Sequence, residues 1–280
     1  MGRECLRDRP EGTALNKGFR LDQYRSSDLE KKFSVKYISI AGVAVVSSNS
    51  TEMIRLLINV LEREFERCNP VYYFNAHCAN LAFDIPQYRR ALQEALYVIN
   101  DGIGLDIAAW RQGKRFQENL NFSDFIDEGE FLKVCSDKGY GFFILGGREG
   151  VLDKAVANYK ANYPGLKVVG SHHGYFNPQE DQQIIEHING KRPDILLVGL
   201  GNPKQELWIN KYRNQLNVKL AFSVGGSIDQ VAMVTPRAPK IFIKLRLEWF
   251  FRLCQEPRRL WKRYLIGNTV FLWRVLLNKM

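Results

Sequence analysis

Residues 194–206 read DILLVGLGNPKQE. The first seven form a nearly continuous apolar run, which is how a strand buried on both faces reads. Gly199 and Gly201 bracket a turn, and Pro203 suits the first turn of a helix. From Lys204 to about residue 214 the apolar residues fall at helical spacing. Strand, tight turn and helix in that order make the repeating unit of a parallel α/β sheet.

The same unit recurs outward in both directions. GFFIL (141–145) precedes Gly146-Gly147 and a helical segment over 149–163. LKVVG (166–170) precedes a helix over 178–189, and LAFSV (220–224) closes the series. Upstream, YISIAGVAVV (37–46), VYYF (71–74) and ALYVI (95–99) are β-type runs. MIRLLINVLEREF (53–65) is a helix that Ser50 or Thr51 could cap, and the amphipathic stretch over 78–95 breaks at Pro86. The expected architecture is an α/β, Rossmann-like, mainly parallel sheet with helices on both faces, over residues 37–235. A polar, poorly ordered leader (1–36) precedes it, and a basic helical appendage (236–280) follows.

A chain of 280 residues with 45% apolar and 25% charged residues buries a full core and is neither disordered nor collagen-like. No stretch reaches 18 apolar residues, so no ordinary membrane-spanning helix is expected. The N-terminus lacks the apolar region of a secretory signal, and Leu6 breaks the myristoylation pattern. Five scattered cysteines without a CxxC read as reduced thiols rather than a zinc site.

The net charge of +10 is strongly polarised. From Arg237 onward there are eleven basic residues and two acidic ones, interleaved with aromatics such as Trp249, Phe250, Trp261 and Trp273. Three readings fit: an anionic membrane surface, a solvated face packed on the body, or nucleic acid. The membrane surface is favoured. Nucleic acid is set aside, because no helix-turn-helix, RNA-recognition or zinc-finger pattern is present.

Ligands of open parallel sheets bind at the carboxyl ends of the strands. Those ends carry Asn75-Ala76-His77, Asn100-Asp101-Gly102, Gly146-Gly147, Gly174-Tyr175-Phe176, Gly201 to Glu206, and Gly225-Gly226 with Asp229. Six Gly-rich or polar ends together point to one shared polar crevice. Gly146-Gly147 is either a tight turn or a place where backbone N–H groups approach a phosphate. Lys204 and Gln205 could hold a phosphate or base, or simply start a helix. Asp101 is a candidate general base on a hydroxyl, or else an Asx-type turn. No DxD, HExxH, GxSxG or Walker loop occurs, so no metal-bound diphosphate site, no other metal and no cofactor is expected. His172-His173 read as loop or pocket residues.

The set NDGIG (100–104), LGG (145–147), GYF (174–176), GLGNPKQE (199–206), VGGSID (224–229), RAPK (237–240), LEWFFRL (247–253) and EPRR (256–259) resembles the WecG/TagA/CpsF glycosyltransferases over about residues 37–265. The C-terminal half is most similar to members that build exopolysaccharide repeat units, notably xanthan-type (GumM-like) β-glucosyltransferases. The resemblance implies an inverting, metal-independent transfer from a UDP-sugar to a polyprenyl-diphosphate-linked saccharide. It would take place on the inner face of the bacterial plasma membrane. Glucose is the preferred sugar, and N-acetylmannosamine or its uronic acid the alternative. A non-catalytic UDP-binding scaffold is the competing class, and self-association is left open.

By the same resemblance, Asp101 is the base, Pro203 to Glu206 line the donor pocket, and Arg237 belongs to the site. Arg252, Arg259 and, less certainly by spacing, Arg263 stabilise the leaving diphosphate. The chain departs from the family pattern at Tyr73, where threonine is common, at Phe122, where glycine is common, and at Ala232-Met233. These departures bear on the acceptor more than on the reaction type.

Overall fold

The computed structural model describes residues 35–280 except 64–66, 121–124, 127–129, 237 and 279. The leader up to residue 34, Phe122 and Arg237 therefore lie outside the described residues.

The described residues open with β1 (Lys36–Ile40) and β2 (Val43–Ser47), which pair antiparallel with Tyr37 opposite Val46. The run 37–46 is therefore a hairpin, not one strand. Its turn is Ala41-Gly42, both with positive φ (53° and 74°), as a two-residue hairpin turn requires. The apolar pattern runs straight through this turn and hides it. Next comes α1 (Ser50–Glu62), capped by Asn49 rather than by Ser50 or Thr51. The Asn49 side chain accepts from the Glu52 N–H at 2.9 Å, and the Glu52 side chain reciprocates.

The body continues through β3 (Asn69–Phe74), α2 (Ala76–Asp84), α3 (Pro86–Gln93), β4 (Tyr97–Asn100), α4 (Ile103–Arg111) and α5 (Glu130–Lys138). Then follow β5 (Gly141–Gly146), α6 (Glu149–Asn162), β6 (Lys167–His172), α7 (Asp181–Lys191), β7 (Ile195–Gly199), α8 (Lys204–Tyr212), β8 (Leu220–Ser223) and α9 (Ser227–Val231). The break at Pro86 separates α2 from α3, as the sequence predicts. Helices α4 and α5 have no counterpart in the sequence pattern.

The eight strands form one sheet in the order β1-β2-β4-β3-β8-β7-β5-β6, and every pair except β1–β2 is parallel. The chain is α/β as expected, with one antiparallel edge. Strands β3 and β8 meet at the centre, where the first half of the chain joins the second, so the carboxyl ends of the seven parallel strands share one edge. Strands β3, β5 and β8 are buried throughout, with Tyr72, Phe74, Phe142, Phe143 and Phe222 among the largest fully buried side chains. Each such burial contributes about 1.5–3 kcal/mol.

The appendage comprises α10 (Lys240–Lys244), α11 (Glu248–Gln255), α12 (Pro257–Trp261), a π-type segment (Lys262–Ile266) and α13 (Gly267–Leu276). It folds back onto the body. Helix α13 lies against α2 and α4 and inserts Phe271 and Val275 into the core. Gly104 makes this approach possible, since a Cβ there would sit 3.0 Å from the Ala76 Cβ and 3.4 Å from the Phe271 ring. Arg274 fixes the far end, with Nη2 2.6 Å from Asp84 Oδ1 and the guanidinium 4.2 Å over the Phe83 ring. Asn80 Nδ2 donates to the Gly267 carbonyl at 2.8 Å. Among the described residues no helix is long and apolar enough to cross a membrane.

Candidate functional site

A cleft of about 790 Å³ opens between the carboxyl ends of β3 and β4, helix α4 and the appendage. Asp101 stands at its base, immediately after β4, with its N–H held by the Phe74 carbonyl at 2.9 Å. Asn75 caps α2 by accepting from the N–H groups of His77 and Cys78, both at 3.1 Å, and its Nδ2 donates to Asp101 Oδ2 at 3.4 Å. Burial first, and then the Glu248 carboxylate on α11, push the Asp101 pKa up to about 6. Asn75, Arg252 and Arg263 pull the other way. The result is a carboxylate close to the pKa a general base needs near neutrality. His77 also lines the cleft, and burial with Arg263 lowers its pKa to about 4, so its imidazole is neutral.

The floor beside Asp101 is tied to the loop over residues 117–119. Fully buried Asn100 donates through Nδ2 to the Glu118 carbonyl at 3.0 Å, so it suspends the loop rather than facing a ligand. The Gly102 N–H donates to Asn119 Oδ1 at 3.2 Å, and Asn119 Nδ2 donates to Asp106 Oδ2 at 3.0 Å. Asp106 in turn pairs with Arg246 of the appendage. Gly102 has φ +81° and nothing within 4 Å of where a Cβ would sit, so the backbone beside Asp101 is open to a substrate.

The appendage supplies the opposite wall: Glu248, Trp249, Arg252, Arg263 and Tyr264, with Asn268 and Thr269 from α13. Of the three expected arginines, Arg252 and Arg263 face the cleft. Arg259 lies outside its lining, paired with Glu256 and within electrostatic reach of Asp229. The Arg252 guanidinium lies 3.5 Å from the position a Cβ would take on Gly226. It therefore stands between the Asp101 cleft and the turn after β8.

The remaining strand ends form a second cluster across the β3–β8 line. Here the glycines make close packing possible. A Cβ on Gly146 would lie 2.6 Å from the Gly199 carbonyl oxygen, and one on Gly199 2.9 Å from that of Gly225. The Gly174 N–H donates to the Gly147 carbonyl at 2.9 Å. Gly201 differs, with φ +78° and open space on its Cβ side. Around this cluster stand Lys204, 5.1 Å over the Phe176 ring, exposed Tyr175 with Arg148 6.0 Å from its ring centre, and Asp229. Burial raises the Asp229 pKa, while Arg259, Arg148 and Arg252 counter it.

Two residues read as ligand contacts turn inward instead. Pro203 precedes α8 after a cis bond, and Gln205 and Glu206 behind it are both fully buried. Gln205 Oε1 accepts from the N–H groups of Gly201 (3.2 Å) and Gly225 (3.0 Å), and its Nε2 donates to Glu206 Oε1 at 2.7 Å. The helical pattern itself carries this signal, since Gln205, Ile209 and Tyr212 share one buried stripe. His172 ends β6, its ring centre 4.5 Å from that of His173 at a tilt of 44° and 6.0 Å from that of Phe176, and neither histidine lines the cleft. The 117–119 loop carries no signal in the sequence as part of the site, because the Asn100 and Gly102 hydrogen bonds that hold it there lie beyond the range of any local pattern. Trp249, Tyr264, Asn268 and Thr269 carry none because only the folding-back of the appendage brings them to Asp101.

Residues 38–280 match the model of the Glycosyl transferase WecG/TagA/CpsF family. A relative from Bacillus spizizenii is 32% identical over 184 residues, covering 66% of this chain and 70% of its own length. One from Staphylococcus aureus (strain MW2) is 26% identical over 247 residues, covering 88% and 95% respectively, and one from strain MRSA252 is 27% identical over the same coverage. All three are named N-acetylglucosaminyldiphosphoundecaprenol N-acetyl-beta-D-mannosaminyltransferase. With a parallel sheet, a cleft built on Asp101 and a match over nearly its whole described length, the chain belongs to the WecG/TagA/CpsF family and is a glycosyltransferase of the hexosyltransferase type.

Proposed function

We propose that this enzyme moves N-acetylmannosamine from a UDP-sugar to N-acetylglucosamine carried on a polyprenyl diphosphate, with inversion, in the synthesis of a cell-envelope glycan. The donor sugar is taken from the relatives, whose names specify mannosaminyl transfer. None of the three relatives is named a glucosyltransferase, so the glucose expectation and the exopolysaccharide setting yield to the alternative. The observation that carries the reading is Asp101, held near pKa 6 at the base of a cleft that is polar around the carboxylate and apolar at Ile103, Ile107, Leu265 and Leu272. Such a cleft suits an amphiphilic acceptor, with its sugar at Asp101 and its lipid toward the apolar lip.

In this mechanism Asp101 accepts the proton of the acceptor hydroxyl as that oxygen attacks the anomeric carbon. The bond from that carbon to the UDP oxygen breaks on the opposite face, and UDP leaves with the electron pair. Arg252 and Arg263 in the cleft, with Arg259 beside Asp229, offset the charge that grows on the diphosphate. Lys204, Tyr175, Phe176 and the open Cβ side of Gly201 form the donor side. Gln205 and Glu206 serve it indirectly by fixing the Gly201 and Gly225 turns. In this reading the basic appendage docks on the cytoplasmic surface of the plasma membrane and so presents the cleft to the lipid-linked acceptor.

The test is UDP release by the full chain with detergent-dispersed polyprenyl-diphosphate N-acetylglucosamine, a panel of UDP-sugars and EDTA. Acceptor-dependent release from UDP-N-acetylmannosamine alone is expected. Release from UDP-glucose instead would restore the glucosyltransferase reading, and release from no donor would overturn both.

A further inference from the structure

Helix α4 presents an unpartnered apolar stripe. Ile103, Ile107 and Trp110, spaced by four and three residues, are 38%, 37% and 66% exposed. Leu105, Ala108 and Ala109 on the other side are buried. At its C-terminal end the chain turns through Arg111, Lys114 and Arg115, all exposed and with no ion-pair partner among the described residues. This turn is well fixed. The Lys114 N–H donates to the Ala109 carbonyl at 2.9 Å, and Gln112 Nε2 donates to the Ser39 carbonyl at 2.9 Å.

We propose that α4 and the turn over residues 110–115 form a second membrane-contacting element, separate from the appendage, that lies on an anionic phospholipid surface. An aromatic residue at the end of an apolar stripe, followed by cations, is the pattern of an interfacial element: apolar side chains enter the headgroup boundary and the cations meet lipid phosphates. The stripe faces the appendage across the cleft mouth, since Ile103 and Ile107 line one side of the cleft and Leu265 and Leu272 the other. Beyond that second lip, α13 exposes Trp273 and Leu276, each at 63%. Exposed apolar surface thus flanks the cleft mouth on both sides, and basic residues flank it in turn. A second copy of the chain fits less well, because pairing the two apolar stripes would leave the exposed Arg111, Lys114 and Arg115 to solvent and unused in the contact. A bilayer satisfies both the apolar and the charged groups, and two-sided seating puts the cleft mouth at the depth of a lipid-linked diphosphate.

The inference rests on the membrane role proposed for the appendage, so the experiment separates the two. Full-length protein is sedimented with phosphatidylcholine vesicles containing phosphatidylglycerol. Trp110→Glu, the triple variant Arg111→Gln/Lys114→Gln/Arg115→Gln, and Trp273→Glu are compared with the unmodified chain. Each α4-side variant should bind vesicles at least about tenfold more weakly, while transfer to a short-chain, water-soluble acceptor stays unchanged. If both bind as the unmodified chain does and only Trp273→Glu is lost, the appendage alone is the contact and the proposal fails. If the unmodified chain does not bind at all, the membrane reading of the appendage fails with it. If Trp110→Glu spares vesicle binding but turns a dimer into a monomer in sedimentation velocity, the stripe is a self-interface and the proposal is overturned.

Discussion

Asp101 owes its raised pKa to its neighbours, and those neighbours make its titration testable. A base must be deprotonated to accept a proton, so kcat/KM should fall as pH drops through about 6. Glu248 is the second-largest cause of the rise, after burial. Glu248→Gln should therefore move this acidic limb to lower pH, and a pH–rate profile of the two proteins checks it. An unmoved limb would mean that another group controls the rate. Tyr73, near the end of β3, has a structural role of its own. Its hydroxyl donates to Asn202 Oδ1 at 2.5 Å, which ties β3 to the turn after β7.

At the scale of elements, the β7–α8 turn is organised by one buried carboxylate. Asn202 Nδ2 and Gln205 Nε2 both donate to Glu206 Oε1 at 2.7 Å. Burial pushes the Glu206 pKa from 4.5 up to about 7. A carboxyl whose pKa is raised on folding costs nothing below its unfolded value, and the cost grows with pH until both states are ionised above about 7. Glu206→Gln keeps an acceptor for both donors and removes that cost. Its stability relative to the unmodified protein should rise by about 1–3 kcal/mol between pH 5 and pH 8, read from paired denaturation curves. A gain that did not depend on pH would show that Glu206 does not titrate there.

Helix α13 depends on its anchor in a similar way. Arg274→Ala removes the pairing with Asp84 and Asn80 and the stacking on Phe83. The expected outcome is faster proteolysis within residues 238–280 and reduced transfer, with the body intact. Equal protease resistance would show that Phe271 and Val275 suffice.

The alternating strands and helices are legible because each parallel strand is a continuous apolar run ending in glycine or a short polar residue, which periodicity detects directly. The Ala41-Gly42 turn is not, since hydrophobic residues continue through it and alanine is an unusual choice at positive φ. The candidate base and the arginines are legible as residue types at strand ends and in a basic tail. Which arginines share a cleft with Asp101 depends on the fold-back of α13, a contact between residues more than 160 apart that no local pattern encodes.

For the whole molecule, the polar distribution of charge and the position of the cleft belong together. The appendage holds eleven of the forty basic residues and also walls the cleft. The surface proposed to meet anionic lipid therefore also walls the cleft. Vesicle binding should weaken steeply as salt rises, because the Debye length shrinks from about 10 Å at 0.1 M to about 3 Å at 1 M. Binding indifferent to salt would assign the contact to apolar residues alone.

The central claim is that the cleft at Asp101 is where the sugar is transferred. Its most direct test compares Asp101→Asn with the unmodified enzyme for turnover with lipid-linked acceptor and for UDP binding measured by calorimetry. The account predicts turnover lower by about 10²–10⁴-fold, with UDP affinity nearly unchanged because the donor cluster lies across the β3–β8 line. Full turnover by Asp101→Asn would contradict it.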